Sequence, residues 1–315
     1  MVTYPRSVAE LEARFLREAD CREFLAELRW SNGFQCPTCE SGKAWVTERG
    51  LRMCRGCGRQ VSVTAGTVFH GTRVPLRTWF RAAWWIVSQK NGASALGLQR
   101  TLGLPSYQTA WHLLHRLRRA MVRADRTQLE GPVEVDETFV GGFHPGTRGR
   151  SLLRKALVVI AVESRGRRTG RVRLRKAADS SGRSLAGFVS ETVAAGSHVI
   201  TDGLQSYASL TSRGFRHEAR NQSASTSDED LLPHVHRIAS LLKRWLLGTH
   251  QGGVDREHLD AYLEEFGFRY NRRTSRSRGL LFMRLLENAV RVGPLPYESL
   301  VSRRTGRGPK PRHKG

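Results

Sequence analysis

Residues 133–140 read VEVDETFV, a segment of largely alternating polarity. It directly follows Gly131-Pro132, which ends the preceding helical pattern. Two further segments with strand-like composition follow, KALVVIAVE at 155–163 and GRVRLRKA at 170–177. Alternation and β-branched residues are typical of strands that pack on a core. Three strands in succession predict a meander.

Helical and extended segments alternate further along the chain. We predict a helix at 185–193 (LAGFVSETV), short strands at 197–201 (SHVIT) and 215–219 (FRHEA), and helical structure from Leu231 nearly to Val290. The order β-β-β-α-β-α-β-α predicts an α/β domain built on one sheet.

The N-terminal region predicts one packing helix. Ser7 and Glu10 form a capping box ahead of apolar residues at helical spacing, which extends the predicted helix over residues 7–29. Residues 34–63 are rich in Cys and Gly and lack this spacing, and helical spacing returns at 75–124.

Charge is the most unusual global property. The 315 residues include 52 Lys and Arg against 28 Asp and Glu, a formal net charge of +24. This surplus favours a polyanionic partner, because phosphates that bind basic side chains release condensed counterions. Nucleic acid is the first interpretation, but an acidic membrane surface or a ribosomal or chromatin role would produce the same bias.

Two features indicate the compartment. No apolar run reaches the roughly 18–20 residues that span a bilayer, and the start, MVTYPRSVAELEARF, lacks the pattern of a signal peptide. We therefore expect a cytoplasmic protein with no membrane partner. Its five cysteines would then lie in a reducing compartment, where metal binding is favoured over disulfides.

Four of the cysteines form a CxxC…CxxC pattern. Cys36 and Cys39 form one pair, Cys54 and Cys57 the other, and fourteen residues separate the pairs. Two such knuckles complete a tetrahedral thiolate site, so we predict a structural Zn²⁺ that supplies most of the folding energy of a small ribbon. A redox pair or two disulfides is the alternative, and Cys21 is left as a buried helix residue.

Residues 92–122 offer two helical segments joined by Leu102-Gly-Leu-Pro105, with Ser106 as the cap of the second. Polar and basic side chains of this second helix lie off its apolar stripe, as in the recognition helix of a helix-turn-helix. A plain helical hairpin is the alternative. The DNA contacts predicted on this helix are Tyr107, Gln108, His112, Arg116 and Arg119.

Two aspartates lie in or after predicted strands. Asp136 is inside the strand 133–140, and Asp202 follows the strand 197–201 directly. Taken alone, an aspartate before glycine is usually a turn residue. Alternation points Glu137 away from Asp136, so we exclude Glu137 from the candidate site unless a bulge intervenes.

The late helix carries a histidine and a lysine on one face. His236 and Lys243 are seven residues apart, which places them within about 20° of each other around the helix. The small residues Ala239 and Ser240 between them leave room for a phosphate backbone. A surface helix with incidental basic residues is the alternative.

Together these segments resemble the insertion-sequence transposases that carry a zinc ribbon before an RNase H-like DDE domain. The matching stretches are CPTC…CRGCGRQVSVTAGTVFHGTRVPLRTWF, EVDETFVGG, TDG, HVHRIASLLKRWLLGTH and EEFGFRYNRR. The resemblance implies an α/β protein with an RNase H-like mixed sheet. The corresponding domains are an N-terminal helix (1–33), a zinc ribbon (34–74), a helix-turn-helix region (75–128), the catalytic domain (129–292) and a disordered basic tail (293–315).

The resemblance also implies the catalytic ligands. Asp136 and Asp202 match the first two aspartates of the family, and the third ligand lies seven residues before a lysine. Many relatives have glutamate there, whereas this chain has His236, and some relatives have histidine or asparagine. Because Mg²⁺ prefers oxygen and imidazole suits Mn²⁺, we expect Mg²⁺ or Mn²⁺. The acidic run 228–230 is an alternative carboxylate source, and loss of the glutamate is a possible route to inactivation.

The implied activity is DNA transposition. Water attack frees a 3′-hydroxyl at the transposon end, and that hydroxyl attacks target DNA, while Lys243 holds phosphate and Arg244 adds positive field. The implied partners are double-stranded transposon ends and target DNA at a prokaryotic nucleoid, bound by a homodimer or larger assembly. A non-catalytic DNA-binding protein and a metal-dependent nuclease without strand transfer are the alternatives, and joining of ends to target distinguishes them.

Overall fold

The computed structural model describes residues 3–123, 125–141, 155–221, 230–251 and 253–301. These residues form two compact units. The described residues up to Arg123, together with those from Ser275 onward, form the first unit, and the described residues from Asp125 to Thr274 form the second. No helix within these ranges has the length and apolar character needed to cross a membrane.

The first unit begins with two helices and a small antiparallel sheet, followed by three more helices. The elements are α1 (Val8–Arg14), α2 (Glu18–Arg29), β1 (Ala44–Val46), β2 (Arg52–Cys54), β3 (Gln60–Val61), α3 (Leu76–Ser88), α4 (Ala95–Leu102) and α5 (Tyr107–Arg119). β2 is the central strand and pairs with both neighbours. This sheet is the ribbon that the cysteine spacing predicts.

The single helix predicted over 7–29 is wrong, because two helices, α1 and α2, occupy this segment. The cap is correct: Ser7 Oγ accepts a hydrogen bond from the Glu10 N–H at 3.1 Å. The helix breaks after Arg14, where the Phe15 ring packs edge-on against Phe80 at 4.7 Å between centroids. The Phe15 carbonyl accepts from Arg77 Nε at 3.0 Å, so tertiary contacts replace a further helical turn.

The second unit contains the mixed sheet with helices on both faces. Its elements are β4 (Pro132–Val140), β5 (Ala156–Arg165), β6 (Arg168–Ala177), α6 (Gly182–Thr192), β7 (His198–Thr201), a 3-10 helix (Gln205–Arg213), β8 (Arg216–Ala219), α7 (Pro233–His250) and α8 (Leu259–Asn271). The predicted order of strands and helices is confirmed. The predicted helical region after Leu231 is divided into separate helices.

The sheet has the strand order β6-β5-β4-β7-β8. β4, β5 and β6 form the predicted antiparallel meander, and β7 and β8 run parallel to β4. Val133 and Val135 belong to the core beneath α6 and the 3-10 helix, whereas Val158 and Ile160 belong to the core beneath α7 and α8. This mixed sheet confirms the predicted RNase H-like α/β class.

The chain returns to the first unit with α9 (Arg278–Ala289) and α10 (Tyr297–Val301). Phe282 of α9 is fully buried and packs against the rings of Phe80 and Trp84, each 5.7 Å away between centroids. The predicted catalytic domain, residues 129–292, includes this helix. Its aromatic contacts instead assign it to the core of the first unit.

Candidate active site

The two predicted aspartates lie side by side, Asp136 within β4 and Asp202 directly after the adjacent parallel strand β7. The register pairs Glu134 of β4 with Ile200 of β7, so Asp136 and Asp202 occupy equivalent positions two residues further on. Asp202 follows the last residue of β7, and its Oδ1 accepts from the Leu204 N–H at 3.0 Å. Gly203 has φ +87°, which permits the sharp turn after this aspartate.

Glu137 joins the two aspartates. One carboxylate oxygen from each of Asp136, Glu137 and Asp202 lies within 4.8 Å of the other two. Tyr207 of the 3-10 helix donates its hydroxyl proton to Glu137 Oε2 at 2.8 Å. The exclusion of Glu137 was therefore wrong.

Glu137 reaches the cluster because one edge of β4 is unpaired at its level in the described part of the chain. β4 and β5 stay in regular register through Asp136 and Glu137, so no bulge intervenes and the two Cβ atoms do face opposite sides. Pairing with β7 stops at Glu134, however. Beyond that level no paired strand covers this edge among the described residues, and the long Glu137 side chain reaches Asp136 around it.

The carboxylates share a partly buried and repulsive environment. Burial, followed by the charge of Asp202, raises the pKa of Asp136, although the Glu137 backbone N–H opposes the shift. Burial also raises the pKa of Glu137, against the lowering effect of the Tyr207 hydrogen bond. A bound cation would neutralise this repulsion, and an all-oxygen donor set suits a hard divalent ion. The three residues therefore fit a divalent metal site.

His236, predicted as the third ligand, lies beside this cluster and contacts Asp136. Its Nε2 is 3.4 Å from Asp136 Oδ2, and its Nδ1 is 2.7 Å from Asp230 Oδ1. Buried Glu134 holds the start of α7 on β4, because its Oε2 accepts from the N–H groups of His234 and Val235. That anchor places His236 next to Asp136.

The other predicted residues of α7 lie further along the helix. Lys243 and Arg244 are both exposed. Of the acidic run proposed as an alternative ligand source, Asp230 contacts His236 through its carboxylate. Asp228 and Glu229 lie outside the described residues.

Glu137→Gln is expected to weaken Mn²⁺ binding by at least tenfold, because it removes a charged oxygen from the cluster. Tyr207→Phe keeps that charge and loses only the outer hydrogen bond, a change that typically costs about 10- to 100-fold in affinity or activity. Isothermal titration calorimetry with Mn²⁺ measures the affinity of both variants. The control is Glu191→Gln, which alters an exposed glutamate of α6. Unchanged affinity in Glu137→Gln would remove Glu137 from the site.

The four predicted cysteines converge in the first unit. Their sulfur atoms all lie within 4.8 Å of one another, with Cys36 and Cys57 at 3.6 Å and Cys39 and Cys54 at 3.5 Å. A tetrahedral ion with Zn–S bonds of about 2.3 Å requires sulfur separations of about 3.8 Å. The Cys39 and Thr38 backbone N–H groups lower the pKa of Cys36 to about 6, which favours its thiolate. The cluster fits a closed structural zinc site.

The fifth cysteine is separate from this cluster. Cys21 is fully buried in α2, as predicted, and burial raises the pKa of its thiol to about 12. The ribbon itself has only a small core around Phe34 and Val61. Gly58, directly after Cys57, has φ +70°, a conformation that glycine adopts without strain.

The helix pair α4–α5 has the predicted cap, since Ser106 Oγ accepts from the Thr109 N–H at 3.1 Å. Tyr107, Gln108 and Arg119 are exposed on α5. Arg116 is instead buried, donates to the His70 carbonyl at 2.7 Å and lies over the Trp79 ring.

The predicted surface role of Arg116 does not agree with this packing, because the segment around His70 and Trp79 covers that side of α5. His112 is half-buried, and a ring nitrogen lies 2.9 Å from the Leu295 carbonyl. The apolar stripe of α5 predicted one buried face of this helix. It did not predict the second buried face, which carries Arg116. We retain Tyr107, Gln108 and Arg119 as candidate DNA contacts.

Two family models match this chain. Residues 128–271 match the family model of the ISXO2-like transposase domain, and residues 16–60 match that of the transposase zinc-ribbon domain. A protein of the transposable element ISH50 from Halobacterium salinarum is 30% identical over 278 residues, covering 81% of this chain and 91% of that protein.

One solved structure is a weaker match. It is a cryoEM structure of the simian T-cell lymphotropic virus intasome with the PP2A regulatory subunit B56 gamma. The similarity covers 60% of this chain and 70% of that chain at 16% identity, with a TM-score of 0.30. A similarity this low carries no argument about fold or function.

Proposed function

The chain belongs to the ISXO2-like transposase family, and from this premise we propose that it is an active DNA transposase that cleaves transposon ends and joins them to target DNA. The observation that carries the proposal is the convergence of Asp136 and Glu137 of β4 with Asp202, which directly follows the parallel strand β7. Without that convergence, the chain would fit the non-catalytic alternative.

The carboxylates and His236 have different roles at the scissile phosphate. Divalent ions held by Asp136 and Asp202 would activate the attacking oxygen and stabilise the leaving oxygen of an in-line displacement. Glu137 adds a third carboxylate, and Tyr207 orients it. His236 serves as the third ligand or positions water beside Asp136, and Mg²⁺ or Mn²⁺ is the proposed ion.

The reaction proceeds in two displacements. Water attacks the phosphodiester, forms a new P–O bond and releases a 3′-hydroxyl at the transposon end. That hydroxyl then attacks a target phosphodiester, and the displaced 3′-oxygen leaves. Lys243 and Arg244, which are exposed on α7, hold DNA phosphates through charge-assisted contacts.

The first unit supplies recognition of DNA. The proposed contacts are Tyr107 and Gln108 near the N-terminus of α5, where a recognition helix meets base edges, and Arg119, which reaches phosphate. The zinc ribbon assists in binding the transposon ends. Joining two ends requires at least a homodimer on DNA, in a prokaryotic nucleoid.

A strand-transfer assay with the element's own ends tests the proposal. We expect the wild type to join ends to target DNA, and His236→Ala to lose about 10- to 100-fold or more, in line with loss of a ligand or its outer partner. His236→Glu restores the oxygen ligand of many relatives and is expected to retain joining, with a shift of preference from Mn²⁺ towards Mg²⁺.

The control is His198→Ala, at the far end of β7 from Asp202. Cleavage without joining would identify a nuclease. A wild type that is inert while His236→Glu joins DNA would identify a decayed relative that retains only DNA binding.

A further inference from the structure

An arginine-lined cleft lies in the second unit, and its lining includes none of the three clustered carboxylates. It has a volume of about 520 Å³ and lies between the β5–β6 hairpin, α7 and the end of α8. No carboxylate side chain lines it among the described residues. The arginines of this cleft are Arg165, Arg167, Arg168, Arg171, Arg237 and Arg273.

Protein contacts engage only part of this positive charge. Buried Glu163 forms ion pairs with Arg165 at 3.2 Å and with Arg171 at 2.5 Å. Arg273 stacks over the Tyr270 ring, with its guanidinium carbon 4.1 Å from the centroid, and donates to the Tyr270 carbonyl at 3.0 Å.

Among the described residues, three arginines of the cleft form neither an ion pair nor a ring contact. Within the described part of the chain, no carboxylate forms an ion pair with Arg167, Arg168 or Arg237, and all three are exposed. Like charges held this close repel one another, and a bound polyanion relieves that repulsion. One guanidinium group can donate two parallel hydrogen bonds to the oxygens of a phosphate, so the chemistry of the cleft matches a phosphate backbone.

The position of the cleft relates it to the DNA at the carboxylates. Asp136 lies opposite Ile160 in β5, and Arg165 follows five residues later on the same strand. At about 3.4 Å per residue this separation is roughly 17 Å. Each strand of B-DNA carries one phosphate per about 3.4 Å of helix axis, so a duplex lying along β5 would span this separation in about five base pairs.

We propose that the cleft binds the phosphate backbone of the same DNA duplex that is cut at the carboxylates, within about five base pairs of the scissile phosphate. The proposal rests on the proposed transposase function. Arg237 directly follows His236 in α7, so the cleft and the site share one helix. A backbone clamp at this distance would hold the scissile phosphate against the carboxylates without reading sequence.

The experiment measures binding of wild type and variants to an end duplex over a range of salt, without divalent ions. The variant Arg167→Ala/Arg168→Ala/Arg237→Ala is compared with Arg183→Ala/Arg213→Ala/Arg216→Ala, which removes three exposed arginines elsewhere in the same unit. The slope of log affinity against log salt is expected to fall by about 0.9 for each phosphate that the cleft variant no longer neutralises. The control variant is expected to keep the wild-type slope.

A second measurement uses the wild-type protein and needs no variant to fold. End duplexes with neutral methylphosphonate linkages about five base pairs from the cleavage position are expected to bind at least tenfold more weakly than duplexes neutralised ten base pairs further out. Equal affinity for both duplexes, or an unchanged slope in the cleft variant, would overturn the proposal. Inorganic phosphate or a nucleotide that binds the cleft without competing with duplex would overturn it as well.

Wild-type cleavage, assayed in parallel, separates the two proposals. If the wild type cleaves and joins DNA but the cleft variant binds the end duplex as the wild type does, only the proposal about the cleft fails. If the wild type neither cleaves nor joins, the transposase function fails.

Discussion

Asp136→Ala and Asp202→Ala are each expected to lower DNA cleavage at least about a thousandfold, while DNA binding stays the same or becomes slightly tighter. Stabilisation by metal ions contributes several kcal/mol to a phosphoryl transition state, and every 1.36 kcal/mol is a factor of ten in rate. Binding is preserved because removal of a carboxylate beside the DNA reduces repulsion of the phosphates.

A stability measurement separates this effect from misfolding. Because burial and Asp202 raise the pKa of Asp136, its ionised form destabilises the metal-free fold at neutral pH, so Asp136→Asn is not expected to lower the Tm without metal. Mn²⁺ at about 100 times its Kd stabilises the wild type by about 2.7 kcal/mol, and this gain is expected to disappear in the variant.

The matched control is Asp260→Asn, which changes a half-exposed aspartate of α8. It is expected to cleave DNA and to gain stability from Mn²⁺ as the wild type does. Cleavage at wild-type rate in either Asp136→Ala or Asp202→Ala would refute the assigned site.

Cys36→Ser is expected to unfold the ribbon and to weaken binding of transposon ends by at least tenfold. Structural zinc contributes about 10–16 kcal/mol of apparent binding free energy in small ribbons, far more than the few apolar residues around Phe34 and Val61 can replace. Zinc content, gel-shift affinity and hydrogen exchange of residues 36–61 measure the effect. A chelator is expected to reproduce it in the wild type.

Cys21→Ala is the control, because Cys21 is buried in α2 and takes no part in the cluster. It is expected to lower the free energy of unfolding through poorer packing, yet to retain a full complement of zinc and normal end binding. Full zinc content and unchanged exchange protection in Cys36→Ser would contradict the assigned ligands.

The local elements could be read from the sequence. Alternation marked the β4 strand, and the spacing within each CxxC pair marked the zinc ligands, because both depend on neighbours along the chain. Asp136, Asp202 and His236 were named through the family resemblance. That Asp136 and Asp202 stand side by side depends on the parallel register of β4 and β7, which involves residues more than sixty positions apart.

Other contacts could not be predicted from the sequence, because they depend on which elements pack nearby in the fold. Glu137 enters the cluster only because pairing with β7 ends before it and Tyr207 holds its carboxylate. Arg116 looks like a surface arginine, yet the His70 carbonyl and the Trp79 ring bury it.

The sequence by itself determined the order of strands and helices in the sheet domain and the zinc ligands, since periodicity and short-range spacing carry that information, and the two aspartates were named through the family resemblance. Only the tertiary structure decided which side chains meet. It brought Glu137 to the carboxylates, placed Asp230 on His236 and gathered arginines of β5, β6, α7 and α8 into one cleft. The reason is that the reach and burial of a side chain depend on elements distant in the chain, which local patterns do not encode.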